Sequence, residues 1–488
     1  MRIYNSLTRS KTEFVPLKKK KIGMYVCGPT VYDEPHIGHA RSAYIFDCLR
    51  RYLEYRGNEV TFVRNVTDVD DKIIEKARTA YSLPAGQAGV QRTAYSLDDA
   101  VKEISKKYLD AYHEDMDLLG IGMPDREPKA TEYIPRMIEF ITLLTERGCA
   151  YEANGDVYFD IRKARDYGKL SNQNLDKMEA GDSPVRNSTS NRAGIFGWEF
   201  KKDPLDFALW KKAKEGEPSW PSPWGMGRPG WHIECSVMSS DILGDEFDIH
   251  GGGVDLIFPH HENEIAQSEG AGKAFARYWI HNGLLTINNE KMAKSTGNFI
   301  SIKDFMLKYR DADFLKLLFL NTHYRHPVDY TEEKIREMKA QKERFVIMLN
   351  KIDRIRGHQT PKLQGVKVKE IEEYKRRFEE AMDDDFNMPL ALAHLFEMVN
   401  YTNKSIDDVI LTQQSKETLL ELIKIFGIDL NKKETEDLPN TVDLLIKKRD
   451  EARAKKDYKT SDDIRKKLSD MGVILEDTKE GTIWRKEL

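Results

Sequence analysis

Three groups of residues have types and spacings suited to chemistry. The first is Pro35-His36-Ile37-Gly38-His39. A helix N-terminus presents free amides that favour phosphate, and two histidines three residues apart would add donors there. Gly38 would let a flat ligand approach the backbone. The second is Lys291-Met292-Ala293-Lys294-Ser295, followed by Thr296 and Gly297. Two lysines three apart suit the neutralising of a triphosphate whose charge moves during reaction. Either motif alone is short, and two surface histidines or a solvated lysine pair is the plain alternative. The third group is Cys27, Cys235, His260 and Glu264. Two thiolates, an imidazole and a carboxylate form a zinc-competent set, although the spacing is unlike a compact zinc finger. His260 and Glu264 stand at i,i+4, so on a helix begun near Pro259 they would point the same way, with His261 an alternative ligand at i,i+3. From spacing alone, Cys27 and Cys235 read more readily as buried structural cysteines.

The elements that must position these residues are legible nearby. Ile22 to Cys27 is a short apolar run ending at Gly28-Pro29, which predicts a buried strand leaving its sheet. From Gly38 to Arg56, apolar residues at Ile45, Cys48, Leu49, Tyr52 and Leu53 have helical spacing, with Gly57 placed to cap the end. Glu59 to Val66 predicts a second strand. Strand, helix and strand make a βαβ unit, hence a parallel sheet with its ligand crevice at the strands' C-terminal ends. Cys27 and the His36–His39 motif both fall at that edge. Residues 351–369 read as a linker within charged, helix-favouring sequence, and the tail closes with helices and a small hairpin, 473–485. Two loop insertions are expected. One holds a duplicated Arg-Thr-Ala-Tyr-Ser-Leu at 78–83 and 92–97; the other spans 181–197.

Composition narrows the class. The 488 residues are 40% hydrophobic, which excludes wholesale disorder, and 77 Lys+Arg against 81 Asp+Glu exclude a uniformly basic coat. Any nucleic acid must therefore meet a local patch. Between Lys447 and Lys467 ten basic residues face five acidic ones, a local charge of +5. Four cysteines exclude a disulfide-built scaffold, so reduced thiols and a cytoplasmic location are expected. No apolar run approaches the roughly 20 residues of a membrane span, and the N-terminal segment lacks the apolar stretch of a signal peptide.

Segments 27–41 (CGPTVYDEPHIGHAR), 64–74 (RNVTDVDDKII), 227–239 (GRPGWHIECSVMS), 248–269 (DIHGGGVDLIFPHHENEIAQSE) and 291–298 (KMAKSTGN) together resemble the cysteinyl-tRNA synthetase family, of class I. The pairing of HIGH with a KMSKS-like motif about 250 residues later is far more specific than either half; Ala293 departs from the usual serine. The resemblance implies an α/β fold, a Rossmann-type parallel-sheet catalytic domain with an inserted connective segment, then an α-helical bundle and a small anticodon module. The expected segments are 1–120 and 229–285 for the two catalytic halves, 121–228 for the connective insertion, 286–330 for the KMAKS region, 331–430 for the bundle and 431–488 for the anticodon module.

The implied reaction is ATP-dependent ligation of L-cysteine to tRNA(Cys) through a cysteinyl-adenylate, with Mg2+ accompanying ATP. It also implies one zinc ion on Cys27, Cys235, His260 and Glu264, joined by the substrate thiolate. His36, His39, Lys291 and Lys294 would be catalytic. Gly38, Thr67, Trp231, His250, Gly251, Gly252, Asp255 and Ser295 would line the substrates, with the His250–Gly253 run against the adenosine. Without the resemblance a lone Trp231 would read as core and the glycine run as a turn. The family further implies a monomer, no membrane partner, and basic tail residues with Tyr458 and Trp484 meeting RNA. That tail weighs against a related ligase that joins cysteine to an amino-sugar inositol. Cys48 and Cys149 are expected to be structural.

Overall fold

Four strands supply the frame: β1 (Lys21–Val26), β2 (Glu59–Arg64), β3 (Phe247–Gly253) and β4 (Ala276–Asn282). They form one sheet in the order β4-β3-β1-β2 with every pair parallel. Buried Met24, Tyr25 and Val26 in β1 and Phe247 to Gly252 in β3 form the near-continuous buried runs of a sheet covered on both faces. The chain proceeds from β1 to β2 on one side and places β3 on the other. The crevice between β1 and β3 is therefore a topological switch point, where parallel sheets bind ligands. In this computed structural model the described residues are 1–82, 96–173, 200–292, 298–356, 368–430 and 445–486, less 451, 454–456, 471–472 and 479–480.

Helix α1 (Ile37–Tyr55) connects β1 to β2. His36 caps it, accepting the Gly38 N–H on Nδ1 at 3.1 Å, and Gly57 follows its end with φ +81°. The expected strand 59–66 pairs with β1 only to Arg64. Beyond it, Val66 bridges to Lys129, because the chain passes from the sheet to the segment opening the connective region. Gly28 is required where β1 ends: a Cβ there would lie 1.7 Å from the Asn65 carbonyl oxygen.

The connective region holds a helix, Ile134–Glu146, and an antiparallel sheet of Ala150–Ala153, Asp156–Phe159, Phe207–Lys212 and Gly227–Pro229. Its core, including Met137, Phe159, Leu209 and Trp210, packs on Ile233 and Val237 of α2 (Trp231–Leu243). The first duplicated segment is not all loop: Arg78–Ser82 finishes the helix Asp71–Ser82, and Ser96 caps the helix Leu97–Leu118 by accepting the Asp99 N–H. Residues 83–95 and the whole expected insertion 181–197 lie outside the described residues.

After β4 come the small sheet Leu285–Ile287, Glu290–Lys291 and Val328–Tyr330, and helices Ile302–Tyr309 and Ala312–Leu320. Four long helices follow, Glu332–Arg356, Lys369–Asp383, Met388–Lys404 and Val409–Ile423. The first reaches Arg356, so the expected linker begins later than residue 351; residues 357–367 lie outside the described set. The chain divides into two compact units, Met1–Ile428 and Asp429–Leu488. The second contains the helix Tyr458–Asp470 and the hairpin Val473–Thr478 with Gly481–Lys486, as expected, around Ile446, Leu468 and Val473. No helix among the described residues is long and apolar enough to cross a membrane.

Candidate active site and metal centre

Cys27 is the first residue past β1, and its N–H reaches the Gly251 carbonyl of β3 at 3.0 Å. That bond sets its thiol at the switch point. Cys235 comes from α2, and Glu264 from helix α3 (Glu262–Gly270). His260 lies in a wide turn, Ile257–His261, that follows a cis Phe258–Pro259 peptide. The regular helix thus starts later than Pro259, yet His260 Nε2 and Glu264 Oε1 still meet at 3.0 Å.

The four donor atoms fit a single ion. The thiols are 3.7 Å apart, and Cys27 Sγ lies 3.5 Å from His260 Nε2 and 3.6 Å from Glu264 Oε1. Tetrahedral zinc, with bonds of about 2.3 Å to sulfur and about 2.0–2.2 Å to nitrogen or oxygen, gives edges of about 3.8 Å between sulfurs and about 3.5 Å between sulfur and the lighter donors. Glu264 Oε2 is buried and receives no hydrogen bond among the described residues, with His250 Nε2 3.4 Å away.

A second quartet overlaps the first: Cys27, His250, His261 and Glu264. His250 Nε2 lies 3.5 Å and His261 Nε2 3.3 Å from the Cys27 sulfur. His250, which the resemblance assigned to the substrate lining, lies in β3 with its ring beside the Cys27 thiol. Around both sets lies a layer that sequence reasoning missed. His232 Nδ1 is 2.8 Å from His260 Nδ1, and His281 Nε2 is 2.8 Å from His261 Nδ1. Such outer partners fix which nitrogen of a ligand faces the metal. The only signal was position: His281 falls at the C-terminal end of β4 and His232 in the first turn of α2.

Burial and the close approach of titratable groups shift every member of the cluster. Burial pushes the Cys27 thiol up, whereas Cys235, despite burial, is held well below its ordinary value by hydrogen bonds from Cys27 and His260 and by the His260 charge. His260 resists burial and rises to about 10 beside Glu264 and Cys235. Burial and the Cys235 charge push Glu264 up to about 8. His232, His250 and His261 are driven well below their ordinary value by burial and by neighbouring histidine charge. A divalent cation would favour the deprotonated thiols and carboxylate together.

The remaining candidates lie around this cluster. Trp231 is 40% exposed and stacks on the His260 ring at 4.5 Å, so it lines an opening instead of the core. Thr67 donates its hydroxyl to buried Glu234 at 2.8 Å. The His250–Gly253 run is the end of β3, not a turn. A Cβ at Gly251 would stand 2.3 Å from the Phe46 ring, one at Gly252 2.9 Å from Leu256, and one at Gly253 2.4 Å from an Asp255 carboxylate oxygen. Cys48 is fully buried and Cys149 partly so, packed on the connective core; neither belongs to the cluster.

At the mouth of α1 the rings of His36 and His39 stack at 3.8 Å, and His39 Nδ1 accepts the His36 N–H at 3.3 Å. The late motif comes back to this point. The Ile37 N–H reaches the Ile300 carbonyl at 3.2 Å, His36 bridges to Ser301, and the Phe299 ring meets His36 edge-on at 5.5 Å. Met292 lies against Gly38, 3.3 Å from where a Cβ would be. Lys291 pairs through its backbone with Thr286, while Lys294 and Ser295 lie outside the described residues.

Comparison with known proteins identifies the family. Residues 13–340 match the class I (C) tRNA synthetase catalytic domain, 377–431 the DALR domain, and 435–485 the cysteinyl-tRNA ligase anticodon binding domain. The chain is 45% identical to a cysteine–tRNA ligase of Finegoldia magna and 47% identical to one of Coxiella burnetii, each over the full length of both chains. The fold is also that of methionyl-tRNA synthetase from Mycobacterium tuberculosis, with a TM-score of 0.59 at 16% identity over 87% of this chain and 94% of that one. The chain belongs to the cysteine–tRNA ligase family of class I aminoacyl-tRNA synthetases.

Proposed function

We propose that this chain charges tRNA(Cys) with L-cysteine in two steps and selects cysteine through zinc held by Cys27, Cys235, His260 and Glu264. The observation carrying the reading is the convergence of those four donor atoms, all within 4.8 Å of one another, at the switch point of the sheet. A hydrophobic pocket separates near-isosteric side chains by only about 10–200-fold, too little to reject serine. Zinc bound there supplies a soft Lewis acid that a substrate thiolate joins far better than a hydroxyl does.

The chain's own residues orient the rest. Trp231 and Thr67 close around the amino acid, and the bare backbone of Gly251 and Gly252, with His250 and Asp255 at its flanks, borders the nucleotide. The cysteine carboxylate attacks the α-phosphate of Mg·ATP, giving cysteinyl-adenylate and pyrophosphate. His36 and His39 steady the in-line transition state, while Lys291, Lys294 and Ser295 offset charge on the departing pyrophosphate. The terminal ribose hydroxyl of the tRNA then attacks the acyl carbon and releases AMP. No protein nucleophile is needed.

Residues 1–120 and 229–285 serve as the two catalytic halves, 121–228 as the connective insertion and 286–330 as the signature-loop region. The bundle, 331–430, and the basic tail, 431–488, carry the tRNA, with the tail reading the anticodon. The enzyme works as a cytoplasmic monomer. The test is cysteine-dependent charging of total tRNA with serine as control and zinc analysis on the same sample. Charging that survives complete removal of zinc, or that accepts serine equally well, defeats the reading.

A further inference from the structure

Arg41 lies in α1, two residues beyond His39, and is 1% exposed. Among the described residues it meets no carboxylate. Its guanidinium instead donates to four backbone carbonyls: Gly283 at 2.6 Å, Leu284, Tyr324 at 3.4 Å and His326 at 2.5 Å. Burial alone lowers its pKa to about 10. A buried cation paid for only by dipoles is costly, so what those dipoles belong to matters.

Gly283 and Leu284 are the two residues between β4 and the strand Leu285–Ile287. That strand turns into Glu290–Lys291, the point from which the KMAKS segment departs. Residues 324–326 lead into Val328–Tyr330, which pairs with Leu285–Ile287 on its other edge. The two stems also join directly, Gly283 N–H to the Tyr324 carbonyl at 2.8 Å and Val328 N–H to the Leu284 carbonyl at 2.9 Å. Gly283 permits the approach: a Cβ there would lie 2.3 Å from the His326 carbonyl oxygen. On its return, the signature segment is fixed to Pro35 and Ile37, since Ile302 N–H reaches the Pro35 carbonyl and Ile37 N–H the Ile300 carbonyl. The segment is thus tied to α1 at both of its ends, and Arg41 makes the outgoing tie.

We infer that Arg41 is a positioning residue for adenylate formation, holding the root of the KMAKS hairpin in register with the His36–His39 helix mouth. This rests on the reading of Lys291 and Lys294 as the pair facing pyrophosphate. The root is tied to the helix mouth, so its displacement misplaces those lysines.

The test uses the full-length, zinc-loaded protein with Arg41→Lys, Lys294→Ala and the double variant, measured by cysteine-dependent ATP–pyrophosphate exchange, zinc content and thermal melting. Misplacement of about 1 Å can cost about 100-fold in rate, so Arg41→Lys, which keeps the charge and loses the fork, is expected to lower kcat by about 10- to 100-fold with the KM for cysteine and the zinc content unchanged. Because the effect runs through the loop, Arg41→Lys should cost less than about 3-fold more in the Lys294→Ala background; such coupling is not produced by general destabilisation. If Arg41→Lys does not fold, Gly283→Ala displaces the same carbonyls and should give the same loss of kcat. Unchanged kcat in a folded Arg41→Lys, or losses that multiply fully in the double variant, overturn the assignment, as does failure of both variants to fold. Normal exchange in Lys294→Ala alone overturns the loop reading beneath it instead.

Discussion

The two reactive regions of this chain are built differently. The thiol and histidine cluster is buried: Cys235, His250, His260, His261 and Glu264 are each at most 2% exposed, and their backbones belong to strand ends, a turn and helices packed in the core. The signature-motif region gathers at a helix mouth, where partly buried His36 and His39 cap α1 and a segment from far along the chain returns by backbone hydrogen bonds. A cluster made of core side chains joins ligand binding to folding. A site made of a capped helix and a loop can lose a reacting group while the core stays intact. Variants in the first region should therefore change metal, cysteine affinity and stability together, and variants in the second should change rate alone.

The largest effect is expected at Cys235→Ser. Partners outside the ligand shell already cost about 10–100-fold in metal affinity, so loss of a ligand sulfur should exceed about 100-fold, with cysteine-dependent exchange falling in parallel. Zinc titration of the purified variant checks it; full stoichiometric zinc would remove Cys235 from the set. Lys294→Ala comes next. Exchange should drop by about 100- to 1000-fold, the scale of losing one preorganised group that stabilises developing charge, with zinc content and melting temperature retained. A variant that loses zinc as well would erase the contrast between the regions.

Much of the frame was legible in the sequence, and the misses have physical causes. β1, α1 and the C-terminal hairpin could be read because short apolar runs end at glycine or proline and the helix face repeats on schedule. The four candidate ligands could be grouped by their donor chemistry, but only the family resemblance raised Cys27 and Cys235 above ordinary buried thiols. His232 and His281 were missed because a histidine among apolar neighbours reads as a core residue, and their relation to His260 and His261 exists only once four chain segments converge. Arg41 escaped for the opposite reason: a basic residue on a helix reads as solvated, whereas its partners are backbone carbonyls more than 200 positions away. Without the resemblance the His250–Gly253 run would read as a turn, because glycine signals a bend in sequence, whereas it is the end of β3. Here its missing side chains make room for Phe46 and Leu256.

Trp231→Ala sharpens the contrast at smaller scale, since its ring lies at the surface of the buried cluster. It should raise the KM for cysteine by about 10-fold, the scale of lost pocket contact, while zinc content holds. Being 40% exposed, it should change stability by no more than about 0.5 kcal/mol. A fall in kcat at unchanged KM would move Trp231 from the cysteine side to the nucleotide side.

The smallest expected effect lies at an ion-pair cluster just before the Trp231 segment. Asp71, at the start of the helix Asp71–Ser82, accepts from Lys211 at 2.6 Å and from Arg228, three residues before Trp231. Burial opposes ionisation of Asp71, but Lys211 and Arg228 outweigh it and bring the pKa down to about 2. A carboxyl whose folded pKa is depressed stabilises the fold fully above its unfolded value of about 3.9, and that contribution disappears as pH falls toward 2. Asp71→Asn should therefore lower the urea midpoint modestly at pH 7, since the side chain is more than half exposed and solvent screens the pair. The gap between variant and parent should narrow below pH 4 and close near pH 2. A gap of constant size across that range would show that Asp71 acts by packing and helix capping, not by its charge, and the ion pairs would then have no part in holding the Trp231 segment against the catalytic half.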